Sequence, residues 1–399
     1  MLVRRTLISK NGSDSSSVER PDSAELIVVG AGVIGLACAW RASEAGIETL
    51  VLDSGASERA SEVAAGMIAP VGEATWGEES LLAAAVASAE AWPGFAADLE
   101  CASERAVPYR RCGALHVALD RDEATALRRA HALHERLGLP GAWLRARECR
   151  RLEPGLATTV VAGLDAPEEA EVDPRALRDA LLAAIVAQGG RIEERADVVE
   201  LVVEAGSVRG VVLAGGRRVE ASRVLLATGA RAGSELLPEA VRPPVRPVKG
   251  EIVRLRARSG ERVCERLIVT ERVYIVPRAG EEVVVGATVE DRGFDLRVTA
   301  GGVLELLREA YRVLPGIAEL ELVDCSAGLR PATPDNAPVV GPTTIGGLML
   351  AGGHHRNGFL LAPLTAAAIA AALRGEPAPP EVEVLAPGRF SAPLHEARA

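Results

Sequence analysis

The chain has 399 residues, 48% hydrophobic and 25% charged, which allows a large buried core and two domains. Its formal net charge of −10 (45 basic against 55 acidic residues) argues against a nucleic-acid or anionic-membrane surface, since no local basic patch is visible. Six cysteines (Cys38, Cys101, Cys112, Cys149, Cys264, Cys325) form no C-x-x-C pair and no metal-like spacing, so free thiols in a reducing cytoplasm are expected, with no disulfide framework or zinc site. No apolar run reaches membrane-spanning length.

Residues 1–23 read as a polar, disordered leader: Arg4-Arg5 precedes a serine-rich stretch, not the apolar region an export signal needs. Ile27-Val-Val-Gly-Ala-Gly-Val-Ile-Gly35 then reads as a strand, a glycine turn and a helix. A second strand, Glu48-Thr-Leu-Val-Leu-Asp53, closes on an acid. In this context Gly30 permits the tight turn, Gly32 lets backbone approach a pyrophosphate, and Gly35 lets helix and strand pack closely. The helix N-terminus offers unpaired N–H groups to the phosphates, and Asp53 is placed to accept from the ribose hydroxyls of an adenosine. The motif predicts a dinucleotide site and leaves FAD and NAD both open.

Further along, helices are expected over 78–100, over 122–138 (apolar Ala124, Leu127, Ala130, Leu133 and Leu137) and from Asp173-Pro174 to Gly189. Residues 113–119 alternate like a strand. Short strands are expected at 197–204, 208–213 and 218–220, and 224–229 is a buried strand ending in a small-residue turn that re-enters the dinucleotide sheet. Between 243 and 290 the pattern turns to β, with strands at 250–256, 264–270, 272–277 and 282–288 in an antiparallel sheet, before a helix at 300–314. A second strand–glycine–helix unit runs from Gly347 through His354-His-Arg-Asn-Gly358 into an alanine-rich helix. The expected architecture is α/β with two interleaved domains. Residues 24–108, 170–243 and 325–378 form a Rossmann-type domain, 109–169 and 244–324 an α+β antiparallel-sheet substrate domain, and 379–399 a tail.

Arg330, set between turn formers, and Arg356, in the loop entering the last helix, could form a carboxylate clamp, because a guanidinium matches a carboxylate with two parallel hydrogen bonds. Tyr274 could orient a substrate from the sheet face. The helix beginning near Gly358 would present N–H groups to developing negative charge. His354 and His355 are adjacent in a loop with no acidic cluster, so no metal site is expected. No Gly-x-Ser-x-Gly elbow, P-loop or Cys/His nucleophile pattern is present.

These motifs, with Ala64-Ala-Gly-Met-Ile-Ala-Pro70, Val172-Asp-Pro174, Ala227-Thr-Gly229, Pro247-Val-Lys-Gly-Glu251, Tyr274-Ile-Val-Pro-Arg278, Val285-Gly-Ala-Thr288, Ala327-Gly-Leu-Arg-Pro331 and Gly353-His-His-Arg-Asn-Gly358, resemble the D-amino acid oxidase family of FAD-dependent flavoproteins over residues 25–375. Ala-Gly-Leu-Arg-Pro together with His-x-Arg-Asn-Gly is most similar to its glycine oxidase branch, which serves thiamine biosynthesis. The resemblance implies a non-covalent FAD, since Cys325 lies near but not at the covalent-attachment position of related sarcosine oxidases. Gly30, Gly32, Val33, Ile34 and Gly35 would serve the pyrophosphate, with Asp53 (where the family usually has Glu) and Ser54 at the ribose. Val198 would touch the adenine side. Ser61, Ala65, Gly66 and Met67 would line the flavin, with Ala60, Thr228 and Gly229 as further cofactor contacts. The isoalloxazine would face His354, His355, Arg356, Asn357, Gly358, Phe359 and Leu360.

Arg330 would grip the substrate carboxylate with Arg356 and Tyr274 assisting. The implied reaction is oxidative deamination of glycine, sarcosine or small D-amino acids with dioxygen, giving peroxide. A thiazole synthase partner and a homo-oligomer are also implied. Sarcosine or D-amino acid oxidases, amine dehydrogenases on the same scaffold, and an FAD-binding partner protein without turnover remain alternatives. The Arg-Asn-Gly helix entry and the interleaved layout disfavour an NAD dehydrogenase.

Overall fold

A computed structural model describes residues 22–56, 59–74 and 76–390. Most of the expected leader, and residues 391–399 of the expected tail, lie outside them. The chain opens with β1 (Ser23–Val29), α1 (Val33–Glu44), β2 (Thr49–Asp53), α2 (Ala60–Val63), β3 (Met67–Ile68) and α3 (Glu79–Ser103). Then come β4 (Tyr109–Arg111), β5 (Ala114–Ala118), α4 (Arg121–Leu137), β6 (Ala142–Arg145), α5 (Ala146–Leu152), β7 (Ala162–Ala166), β8 (Ala170–Val172) and α6 (Pro174–Ala187). β9 (Arg191–Glu194), β10 (Val198–Glu204), β11 (Ser207–Leu213), β12 (Arg218–Leu226) and β13 (Arg246–Arg256) follow. The remainder is β14 (Leu267–Val269), β15 (Tyr274–Pro277), β16 (Glu282–Gly286), α7 (Ala300–Val313), β17 (Glu321–Ala332), β18 (Val339–Pro342), β19 (Leu348–Gly352) and α8 (Gly358–Arg374).

The helix boundaries have local causes. The Asp120 carboxylate accepts from the N–H groups of Asp122 and Glu123, both at 2.9 Å, and starts α4, while Gly138 ends it at φ +67°. Asp173 caps α6 in the same way, with Pro174 at the first helical position. Thr299 caps α7 through the Gly302 N–H. In contrast, α1 and α8 begin with no side-chain cap and no acid in the first turn, and both of these N-termini open on the cavity described below.

Two large sheets carry the molecule. In the first, β9, β2, β1, β12 and β19 lie side by side and parallel, β18 closes one edge, and the β10–β11 hairpin joins the early half of β12. The expected short strand at 218–220 and the buried strand from 224 are therefore one strand. Its early residues pair with β11 (Val211↔Val219) and its later ones with β19 (Leu225↔Met349), so its outer and buried halves read differently in sequence. Helices α1, α3, α6 and α8 cover one face, burying Trp40, Trp92, Leu99, Leu181, Leu361 and Ile369. Val382 and Leu385, beyond α8, pack into that same core.

The second sheet has the order β17-β13-β16-β15-β14-β5-β7-β6. It is antiparallel except where β5 runs parallel to β14, the seam at which two distant chain segments meet. The expected domain boundary at residue 325 falls inside β17, which pairs with β13 from Arg246↔Ala332 to Arg256↔Glu321 and so belongs to the second sheet. A third, small sheet has the order β3-β8-β4. Among the described residues, no helix is long and apolar enough to cross a membrane.

Candidate active site and dinucleotide cleft

One cavity of about 860 Å³ runs from the glycine turn after β1 to the face of the second sheet. Its first end is built by backbone crowding. Gly30 sits at φ +108°, and a Cβ there would lie 2.5 Å from the Ala227 carbonyl oxygen. A Cβ on Gly35 would lie 2.0 Å from the Gly30 oxygen, so these glycines seat α1 against β1 and β12. Gly35 is the one expected cofactor residue that does not line the cavity; it packs behind it. Gly32, Val33 and Ile34 face the cavity at the start of α1.

Asp53, at the end of β2, is 5% exposed. Its carboxylate accepts from Ala31 N–H at 2.6 Å and Gly55 N–H at 2.7 Å, and it pairs with Arg59. Arg59 lines the cavity beside it and is a residue that motif reading passed over. Ser54, Ala60, Ser61, Val198, Thr228 and Gly229 complete this end. The Ser61 hydroxyl accepts the Val33 N–H at 3.0 Å.

The middle of the cavity is lined by Ala65, Gly66 and Met67 on one side and by the β19–α8 loop on the other. Gly66 has φ +66°, and a Cβ there would strike the Val172 oxygen at 2.2 Å. In the opposite loop His354 is buried, and its Nε2 lies 3.0 Å from Thr365 Oγ1. Burial holds its imidazole down at about 3. His355 falls to about 4 through burial and the neighbouring Arg356, Arg330 and Arg246, so both rings are neutral at pH 7. Asn357, Gly358, Phe359 and Leu360 form the entrance to α8, where the Trp92 indole N–H reaches the Phe359 and Leu360 carbonyls at 3.1 and 3.2 Å.

The far end carries Arg330 and Tyr274. Pleating sends Gly250 and Ile252 of β13 toward the cavity, while Lys249 and Glu251 point behind the sheet as a buried pair at 2.6 Å. The Arg330 guanidinium lies across Gly250 and donates from Nη1 to the Thr288 oxygen at 3.0 Å and the Lys249 oxygen at 3.4 Å. Tyr274 lies over Gly286 and within hydrogen-bond reach of Arg330; burial pushes its hydroxyl up, against the pull of Arg330 and Arg278. Arg356 also reaches this cavity, but it is paired with Glu73 and lies 3.7 Å from Glu78. Burial raises the Glu73 carboxyl, and Arg356 opposes that rise. Nothing in the spacing of Glu73, Glu78 and Arg356 signals this pairing. Among the described residues no group of three or more His, Cys, Asp or Glu could hold a metal ion.

The cavity fits a flavin dinucleotide on its own geometry. It has a helix N-terminus at each half, neither with an acid in its first turn, glycines where backbone must approach, and an acid at the end of β2. Such a fold and site define a dinucleotide-dependent oxidoreductase. Residues 25–372 match the family model described as FAD-dependent oxidoreductase (DAO), and the chain belongs to that family, with FAD as its cofactor.

Among similar proteins, the bifunctional protein ThiO/ThiG of Trichormus variabilis is 36% identical over 87% of this chain and 52% of its own length. The chain thus spans about half the length of that relative. Glycine oxidase of Geobacillus kaustophilus is 31% identical over 87% of this chain and 92% of its own. Its crystal structure superposes with a TM-score of 0.85 at 29% identity, covering 92% of this chain and 98% of that one. Iminodiacetate oxidase of Chelativorans sp. BNC1 gives a TM-score of 0.82 at 28% identity, over 91% of this chain and 98% of its own. The family resemblance drawn from the motifs, and the α/β architecture it implied, therefore hold.

Proposed function

We propose that the protein is an amino acid oxidase that converts glycine, water and dioxygen to glyoxylate, ammonia and hydrogen peroxide, with sarcosine and small D-amino acids as further substrates. The observation that carries this reading is Arg330, a guanidinium fixed by two carbonyl oxygens, facing a cavity that continues to a dinucleotide cleft. Arg330 binds the substrate carboxylate through paired N–H donors, and Tyr274 adds its hydroxyl. Together they fix the α-carbon between the second sheet and the α8 entrance. The chemistry supplied by bound FAD is acceptance of two electrons from that carbon, with dioxygen as the final acceptor. The α8 N–H groups favour the negative charge that this transfer creates nearby. No side chain need remove a proton from carbon, so positioning and electrostatics carry the rate.

At the other end, Gly30, Gly32, Val33 and Ile34 hold the pyrophosphate, Gly35 keeps α1 close, Asp53 and Ser54 take the ribose, and Val198 borders the adenine. Ala60, Ser61, Thr228 and Gly229 flank that same end, and Ala65, Gly66, Met67 and residues 354–360 hold the flavin. No cysteine lines the cavity among the described residues, which supports non-covalent binding. Six free cysteines support a cytoplasmic location. A thiazole synthase partner is supported by relatives of twice the length that are named as bifunctional. The test is a flavin spectrum followed by a peroxide assay over glycine, sarcosine and D-alanine. Peroxide from at least one of them is expected; bound FAD with no peroxide from any would overturn the oxidase reading in favour of an FAD-binding partner protein.

A further inference from the structure

The two arginines of the cavity are held in opposite ways. Arg330 is held by carbonyl oxygens and Tyr274, and no carboxylate pairs with it among the described residues. Arg356 is held by carboxylates: Glu73 pairs with its Nε, and Glu78 Oε2 lies 3.7 Å from its Nη2. Glu78 is fixed in turn by the Asn336 amide at 2.7 Å. Both acids come from the segment between β3 and α3, whose Gly72 and Glu73 line the cavity. Glu73 itself is only 20% exposed. The charge of Arg356 is therefore matched before any substrate arrives, while that of Arg330 faces carbonyl oxygens and a hydroxyl. A single carboxylate finds its counter-charge at Arg330. On the Arg356 side of the cavity, a second carboxylate on the same substrate would meet a guanidinium already matched by Glu73 and Glu78, and would approach both acids.

We propose that Glu73, backed by Glu78, is a specificity-determining residue: by reserving Arg356 it restricts the site to amines bearing one carboxylate and rejects dicarboxylic amines of the iminodiacetate type. This rests on the substrate reading given above. Diglycolate and methoxyacetate have the shapes of iminodiacetate and sarcosine but no nitrogen, so their binding to the FAD-loaded enzyme can be measured by calorimetry without turnover. Wild type is expected to bind methoxyacetate at least tenfold more tightly than diglycolate. Glu73→Gln should shift that ratio at least tenfold toward diglycolate, and the kcat/KM ratio of iminodiacetate to glycine should rise alongside, mainly through KM. Glu73→Asp should keep the wild-type ratio. Combining Glu73→Gln with Arg356→Gln should abolish the gain, because the gain depends on a released guanidinium.

Parallel shifts of both ligands, or a gain that survives loss of Arg356, would overturn the proposal. Should Glu73→Gln fail to fold, Glu78→Gln should give a smaller shift in the same direction, and a flat ratio there overturns it equally. If wild type neither binds methoxyacetate nor releases peroxide from glycine, the substrate reading itself fails. If it does both and no variant moves the ratio, only the role of Glu73 fails.

Discussion

Arg330 has room for its guanidinium only because the strand beside it carries a glycine. A Cβ on Gly250 would lie 2.4 Å from both terminal nitrogens, far inside contact distance. Gly250→Ala should therefore displace the guanidinium while leaving an ordinary strand residue in place. A charge-assisted hydrogen bond contributes about 1.5–3 kcal/mol, so kcat/KM for glycine should fall about 10- to 100-fold, mainly through KM. Arg330→Lys should fall at least as far, since an ammonium cannot offer the parallel pair of donors. Steady-state kinetics with an unchanged thermal midpoint checks the first variant; an unaltered KM would remove Arg330 from the carboxylate site. Arg330 was legible in the sequence because proline and glycine flank it. Gly250 was not, because its crowding arises across the β13–β17 pair, 80 residues apart, in a register only the folded sheet shows. Glu73 and Glu78 escaped for a similar reason: their partner Arg356 is distant in sequence, and carboxylates on a turn read as solvated surface.

Among the elements, α1 and α8 begin with no cap from their own N-cap residues, and although Ser61 takes the Val33 N–H, both helix starts open on the cavity. The β1–α1 turn was readable because its glycines are forced by φ and by contact with Ala227, constraints that leave a fixed spacing. Gly30→Ala should give protein that loses FAD on gel filtration, with a lowered midpoint even without flavin, because both the strained φ and the 2.5 Å approach oppose the methyl.

The loop entering α8 carries a pH dependence that no spacing reveals. The folded His354 titrates at about 3 against 6.5 when unfolded, so as pH falls the unfolded chain takes up the proton first. Its stability contribution is complete above pH 6.5 and is lost progressively toward pH 3, about 2 kcal/mol of it by pH 5. His354→Gln, which can keep a hydrogen bond to Thr365, should shrink the difference between denaturation midpoints at pH 7 and pH 5. An unchanged difference would mean that this imidazole is not the group being titrated.

At the scale of the whole molecule, the long helices and most strands of the parallel sheet were readable from local caps and periodicity, whereas the short helices α2 and α5, the edge strand β9 and the seams between distant segments were not. The parallel β5–β14 contact and the run of β17 past residue 325 both depend on which strand lies alongside, and alternation alone does not name a neighbour. The same holds for the link between the sheets. Arg278, just after β15, is 4% exposed and reaches out of the second sheet to the Glu171 carboxylate and the Val172 oxygen on β8, and to the Ala65 oxygen ahead of β3. Glu171 is 2% exposed and is also met by Arg110 at 3.2 Å. One guanidinium thus joins the substrate-side sheet to the segment that lines the middle of the cavity. Removing it leaves a buried carboxylate short of its partner and two carbonyls without a donor. Arg278→Met should lower unfolding free energy by about 3–5 kcal/mol. Because Ala65 and Gly66 would lose their anchor, flavin affinity should fall with it. Glu171→Gln keeps a hydrogen-bond acceptor for Arg278 and should cost less on both measures. Denaturant titration with and without added FAD separates the two effects: if Arg278→Met loses stability but binds FAD as wild type does, the arginine fastens the sheets without shaping the cleft.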